Sequence, residues 1–401
     1  MFALVLRGGW GTYRLVNASD PSVLEFPDEQ QYWMMAGSLR SGEGLRDELG
    51  FRATRLPLYP ALLSVFAGLD RGVILAKAFH WVIGALAAVV IGLAAAVLFD
   101  RRVGLLAGVR VALDPFLIFF SSLLLTETFF ILCLGALYAV LAPMVKSPEA
   151  LSVSWRRWMA VGTVSALCVY SRESGLGLIA VLSCFLLVWQ RWHRRAVAGT
   201  AVTWLIVVAA LLPWGVRNHE VLGEWCWLTT RSGISLYDGV GPQATGASDL
   251  GPVKEMEAVR NLTETQWNRY FLDESLEAIR RDPLRVVKLA GTKLARMWNP
   301  IPNADAYQSG LVRAVSVVWV CPILLFCFVG VWHLFHSHGR LGSRVAVFLL
   351  LPAFYLSAVH CLFVGSVRYR LGAMPMIEIL AAVGLLAVFD HLRKSRRMIK
   401  T

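Results

Sequence analysis

The sequence predicts an all-α, polytopic membrane protein, a helical bundle with further helices in its extracytoplasmic loops. Three observations lead there. Only 16% of the 401 residues are charged, well below the roughly 25% of soluble domains. Hydrophobic residues reach 57% and gather in stretches close to the length that a helix needs to cross the hydrocarbon core of a bilayer. The basic residues, which give a net charge of +12, concentrate in alternate connections between those stretches, as the positive-inside rule requires. Together these exclude a disordered chain, a secreted disulfide scaffold, a two-domain cytosolic enzyme and a nucleic-acid partner. A transporter, a channel, a structural subunit or a membrane-embedded enzyme remains.

Apolar segments lie at about 72–99, 103–120, 124–143, 158–171, 175–189, 197–214, 311–335, 345–364 and 371–389. If the first of these runs inward, one side receives Arg101 and Arg102, Lys146, Arg156 and Arg157, Arg191, Arg194 and Arg195, Arg340 and Arg344, and the tail from Arg393 to Lys400. That side is cytoplasmic. The N-terminal membrane region then covers 1–214 with an outer loop at about 18–70, a large extracytoplasmic loop covers 215–310, and 311–401 holds the last spans and a basic cytoplasmic tail. The expected location is the cell inner membrane. Met1 to Val16, interrupted by Arg7, Gly8, Gly9 and Arg14, is too short for a full span, so a truncated first helix is expected. No internal repeat stands out. The seven cysteines, Cys133, Cys168, Cys184, Cys226, Cys321, Cys327 and Cys361, have no metal-ligand spacing.

In the large loop, Thr263 and Gln266 form a capping box ahead of Trp267, Phe271 and Ile279, and Pro283 stops that helix. A second helix sets Leu284, Val287, Leu294 and Trp298 on one face and Arg285, Lys288, Lys293 and Arg296 elsewhere. This is the pattern of an interfacial helix, with direct contact to a lipid phosphate as the alternative.

The first outer loop carries the clearest chemistry. Pro27 suits a first helical turn, Asp28 and Glu29 complement the helix dipole, and Tyr32, Met35, Ala36 and Leu39 share an apolar face. Next, Pro57 and Pro60 stiffen the chain around Tyr59 and hold Arg55 near the outer interface, where a fixed guanidinium suits a phosphate or merely anchors. Glu127 at the outer end of one span, and Arg172 with Glu173 between two others, sit at depths where charges face a cavity or a partner. Pro213 and Trp214 end the span that enters the large loop, with Arg217 a possible anchor. Arg368, Tyr369 and Arg370 then put two arginines outside, against the charge bias, which an anionic partner would explain.

The order of these signatures, DExxYxxxAxxL at Asp28 to Leu39, RxPxYP at Arg55 to Pro60, Thr126-Glu127, PWxxRN at Pro213 to Asn218 and RYR at Arg368 to Arg370, resembles the bacterial GT-C glycosyltransferases. The similarity is greatest to the protein O-mannosyltransferase and aminoarabinose-transferase type, and it spans nearly the whole chain. The resemblance implies a bundle of membrane helices with a catalytic cavity at its outer face and a polyprenyl-phosphate-linked sugar as donor. It also implies that Asp28 is the base or orienting carboxylate for the acceptor, with Glu29 as the neighbouring acid.

A carboxylate that takes the proton of an attacking hydroxyl fits Asp28, and Arg55, Arg172, Arg368 and Arg370 are candidates to bind the donor phosphate and stabilise the charge growing on it. Tyr32, Tyr59, Glu127, Arg217 and Tyr369 would line the substrate cavity. One-step displacement with a single carboxylate predicts inversion at the anomeric centre. No cofactor is obligatory; a divalent cation on Asp28, Glu29 and Glu127 is possible. The sugar, the acceptor (lipid, glycan or protein) and the oligomeric state have no readable code. The rival readings are a transporter or flippase of lipid-linked sugars and a noncatalytic assembly subunit.

Overall fold

The computed structural model describes residues 1–146, 154–251 and 256–398. Among them the regular structure is helical, without a strand. The order is α1 (Phe2–Asn17), α2 (Pro27–Arg40), α3 (Leu58–Ser64), α4 (Gly72–Leu98), α5 (Arg101–Leu113), α6 (Pro115–Phe120), α7 (Thr126–Lys146), α8 (Trp155–Ser171), α9 (Ser174–Trp189), α10 (Arg194–Leu222), α11 (Ser232–Val240), α12 (Glu264–Arg281), α13 (Pro283–Trp298), α14 (Gly310–Ser337), α15 (Gly339–Leu362) and α16 (Met374–Met398). By length and composition six of them, α4, α7, α10, α14, α15 and α16, can each cross a membrane. The chain is therefore a multi-pass membrane protein.

The centre of the bundle is α7, whose faces pack on α4, α8, α15 and the turn Tyr369–Gly372. Small residues let the backbones close up. A methyl group added to Gly330 in α14 would lie 2.1 Å from the Leu380 carbonyl oxygen, and one on Gly384 in α16 would lie 2.0 Å from that of Phe326. Such close approach is how helices attract one another in lipid, where burying apolar surface gains little.

Two expected spans take a different form. The stretch 103–120 is not one helix but α5 and α6, broken at Asp114-Pro115. The residue before a proline is pushed to extended backbone, and Asp114 takes φ −59°, ψ 115° while its carboxylate caps α6 through the backbone N–H groups of Phe116 at 2.8 Å and Leu117 at 3.0 Å. Pro115 has no N–H to offer the carbonyls left open at the end of α5. Arg7 fills part of the gap, donating to Val111 at 3.1 Å and to Ala112 at 3.2 Å. The short α1 thus holds its arginine as a buried cap. The stretch 197–214 runs on as helix to Leu222 and ends at Gly223, whose φ of 75° suits glycine. Pro213 is accommodated within it, as prolines in membrane helices often are.

Both loops expected outside, 18–70 and 215–310, fold at the end of the bundle where α7 begins. α2 and α3 pack on each other, α11 packs on α12, and α13 lies against α15. The capping box at Thr263 and Gln266 is present and Asp282 caps α13, so α12 and α13 begin where the sequence places them.

Candidate functional site

The site begins with α2. Its N-terminus is built by Glu29, which is fully buried. One Glu29 oxygen accepts the backbone N–H groups of Glu25 at 3.0 Å and Phe26 at 3.1 Å; the other accepts that of Leu124 at 2.7 Å. Glu29 thereby ties the start of α2, which carries Asp28, to the turn before α7. Glu29, expected as the neighbouring catalytic acid, has both oxygens on backbone N–H groups.

The segment before α3 is shaped in the same manner. Asp47 accepts from the N–H groups of Leu49 and Phe51, from the Thr54 hydroxyl at 3.0 Å and from the Gln31 amide at 3.2 Å. Arg55 emerges from this knot and lies over the Tyr32 ring, 4.7 Å from its centroid. Tyr32 meets Tyr59 edge-on at 4.8 Å, and the Tyr59 hydroxyl pairs with the His80 ring at 2.9 Å. Tyr59 is only 2% exposed, so it supports Tyr32 from behind and is not a cavity wall.

Five of the expected residues meet in one chain of alternating charge. Arg55 binds one Asp28 oxygen, and Arg368 binds the other at 2.6 Å. Arg368 also bonds through Nε to Glu127, whose same oxygen receives Arg172 at 2.7 Å. The remaining Glu127 oxygen is buried with no hydrogen-bond partner. These groups come from α2, the turn before α3, the start of α7, the α8–α9 turn and the segment before α16, all at one end of the bundle. Tyr369 stands beside the cluster, stacked on His360 at 4.1 Å. The side chains of Arg55, Arg172 and Arg368 keep 14, 21 and 20% exposure and that of Asp28 keeps 24%, so the cluster is half-buried and reachable.

A further arginine joins that no sequence pattern singled out. Arg231, just before α11, points at the Gln31 amide oxygen from 3.3 Å, and Arg55 donates to the same oxygen at 2.7 Å. The signal is absent from the sequence because Arg231 lies in the large loop, far from any motif. Four guanidiniums against two carboxylates leave the group a formal charge of +2. Burial by itself would raise the Asp28 carboxyl; Arg55, Arg368 and Arg231 outweigh it and hold that group well below the usual carboxylate range. The neighbouring Arg55 charge, followed by burial, lowers Arg231.

Two expected arginines stand elsewhere. Arg370 is 1% exposed and donates to the carbonyls of Met297 and Asn299, with its guanidinium over the Phe116 ring. It caps α13 and is not beside Asp28, since successive residues of this turn point in different directions. Arg217 donates to the Arg52 carbonyl at 2.8 Å and lies over Trp214, which makes it a brace for the Arg55 segment instead of a wall of the site. The cations of α13 also serve backbone. Arg285 bonds the carbonyls of Val240, Gly241 and Pro242, and Lys293 bonds those of Cys361 and Leu362 at the end of α15. Leu284 and Val287 on the same helix are exposed, in keeping with an interfacial face.

Among the described residues no group of three or more His, Cys, Asp and Glu could hold a metal ion. Asp28 and Glu127 are already bridged by Arg368. A divalent cation would have to displace that guanidinium amid a surplus of positive charge, so these residues do not fit one.

No family model matches the chain, and no curated protein matches it in sequence. Solved structures do match in fold. The archaeal oligosaccharyltransferase AglB from Archaeoglobus fulgidus, in complex with an inhibitory peptide and a dolichol-phosphate, aligns at a TM-score of 0.60 and 14% identity, covering 99% of this chain and 51% of that one. An Archaeoglobus fulgidus oligosaccharyltransferase tethered to an acceptor peptide aligns at 0.61 and 15% identity, covering 99% of this chain and 50% of that one. The chain thus spans about half the length of the oligosaccharyltransferase it matches and shares its membrane fold. ArnT from Cupriavidus metallidurans, bound to undecaprenyl phosphate, aligns at only 0.40 with 16% identity over 95% of this chain and 77% of that one, too slight a likeness to build on. The all-α membrane fold that the sequence implied is the fold observed, and it is shared with that oligosaccharyltransferase.

Proposed function

We propose that this protein is a GT-C glycosyltransferase of the inner membrane that moves a sugar from a polyprenyl-phosphate carrier to an acceptor at the extracytoplasmic face. One observation carries the reading: Asp28 is held between Arg55 and Arg368 at the end of a membrane bundle, in a cluster with more guanidiniums than carboxylates. A lipid phosphate is the anion that such a place meets.

The charges suggest how the reaction runs. With both oxygens held by arginine, Asp28 is ionised but a weak base, because a carboxylate with a low pKa has little appetite for a proton. A donor phosphate arriving at Arg55, Arg231 and Arg368 competes for those guanidiniums. Asp28 then loses its partners, its affinity for a proton rises, and it can accept the proton of the attacking hydroxyl. Attack on the anomeric carbon breaks the bond to the phosphate oxygen, whose growing charge falls on arginines already in place. One displacement inverts the anomeric centre. The donor therefore binds first and switches on the base. The remaining Glu127 oxygen is buried without a hydrogen-bond partner, with Tyr369 beside Glu127 and Asp28 and with Tyr32 under Arg55. No step requires a metal.

The test is transfer in membranes supplied with a polyprenyl-phosphate sugar donor. Asp28→Asn should abolish transfer at unchanged expression; unchanged turnover would remove the base. The transporter reading has one observation on its side, the broken helix at Asp114-Pro115 with charged neighbours. Vesicles that translocate lipid-linked sugar without glycosyl transfer would favour it. A noncatalytic subunit would have an apolar or occluded outer site, which the charged, partly exposed cluster argues against.

A further inference from the structure

Behind the arginines lies a second tier of carboxylates that touches none of them. Glu264 is the first residue of α12 and is 7% exposed. An acid at that position ordinarily just complements the helix dipole. Here its two oxygens reach out of the helix: one accepts the backbone N–H of Arg52 at 2.6 Å, the other that of Ala53 at 2.7 Å and the Thr230 hydroxyl at 2.5 Å. Arg52 and Ala53 lead directly into Arg55, and Thr230 immediately precedes Arg231. A single carboxylate from the large outer loop therefore clasps both segments that deliver the pair of arginines meeting at Gln31.

That pair needs a clasp. Two guanidiniums converging on one amide oxygen repel each other, and Asp28, whose charge favours Arg231, has its oxygens bonded to Arg55 and Arg368. Left to itself, the Arg231 loop would relax away from Arg55 and the anion site would lose one wall. Charge-assisted bonds to backbone N–H groups are among the stronger polar contacts available to resist this. The Arg217 guanidinium grips the Arg52 carbonyl from the other side, and the Thr229 hydroxyl donates to Glu173, the neighbour of Arg172, at 2.7 Å.

We propose that Glu264 is a positioning residue for anion binding: by joining the 52–53 and 230 segments it sets the spacing of Arg55 and Arg231, so the affinity for a lipid phosphate depends on a carboxylate that never touches it. This rests on reading the arginine cluster as a phosphate site. It also makes the large outer loop part of that site, since ordering α12 and gathering the arginines become one event.

The test uses the full-length protein in detergent with undecaprenyl phosphate as the probe, its binding followed by native mass spectrometry. In Glu264→Gln the amide cannot accept on both sides, so the clasp opens while side-chain volume stays nearly constant. Affinity should fall about tenfold or more, the loss that goes with one charge-assisted bond. Thr230→Val, which opens only the Arg231 side, should give a smaller loss in the same direction. Arg231→Ala should lose as much as Glu264→Gln. The double variant should lose clearly less than the two single losses combined, an outcome that a general loss of stability would not produce. If Glu264→Gln binds like the parent protein while Arg231→Ala is weakened, or if the two losses add in full, the positioning role is overturned and the phosphate site stands. If the parent protein or Arg231→Ala shows that the arginines do not govern binding at all, both fall together.

Discussion

Two sets of cations occupy the same end of the bundle and have opposite fates. Arg55, Arg172 and Arg368 end on carboxylates, in half-buried positions. Arg370, Lys293, Arg217 and Arg285 end on backbone carbonyls. A carbonyl at a helix end has no other donor to turn to, so a cation that caps it is committed to holding the fold. A carboxylate bridged by arginine can exchange that partner for a phosphate, because the arginine finds an equivalent acceptor in the ligand. Sequence position does not separate the two sets: Arg368 and Arg370 belong to the same three-residue motif.

The comparison can be broken at several points. The largest effect is expected at Asp28, where Asn should lower transfer by about a hundred- to ten-thousand-fold, the range for removing a general base, with thermal stability little changed. A smaller loss would reduce Asp28 to an orienting group. Next come the arginines. Arg368→Gln should weaken donor use about tenfold or more, seen as a raised KM for the donor, whereas Arg370→Gln should leave donor KM near its parent value and lower the unfolding midpoint by the equivalent of about 1–3 kcal/mol, the cost of leaving buried carbonyls unpaired. A donor defect in Arg370→Gln would erase the distinction between the sets. Glu29→Gln belongs with the second group: stability should fall by a similar amount, with turnover per folded molecule preserved.

A subtler test uses pH. The Asp28 carboxyl is held below its ordinary value by its arginines. Its stabilising contribution is therefore complete above the unfolded value of about 3.9 and fades as pH drops through the lower folded value. In donor-free protein the acid limb of kcat/KM should accordingly lie below about pH 4. The acid limb of kcat, which reports the donor-bound state, should sit at higher pH, because the phosphate has drawn the arginines away. Coincident limbs would contradict release of the base by the donor. The smallest expected effect is that of a chelator: EDTA should leave transfer unchanged, and a loss restored by a divalent ion would show that Arg368 does yield its place.

Much of this was legible beforehand for identifiable reasons. The first outer helix announces itself through Pro27, the acids after it and the apolar spacing of Tyr32, Met35 and Ala36, and the structure forms it over Pro27–Arg40. Asp28, Arg55, Glu127, Arg172 and Arg368 stand out because charges at the edge of a membrane need a reason to be there, and they do converge. The misplacements share a cause as well. Glu29, Arg217 and Arg370 carry the same charges in the same motifs, yet backbone groups that no pattern reveals take up their oxygens and nitrogens. Arg231 and Glu264 were not legible as members of the site, since their partners lie 200 and 212 positions away.

What the sequence determined by itself is the solvent of most segments: length and hydropathy specify which stretches can cross a membrane, and caps and prolines mark where most helices start and stop, both of which depend on neighbours along the chain. What only the tertiary structure decided is the partner of each charge. A carboxylate or guanidinium at the membrane edge must find a counterpart, but whether that is an opposite charge free to exchange or a carbonyl that must be kept depends on which distant turn of the chain arrives beside it.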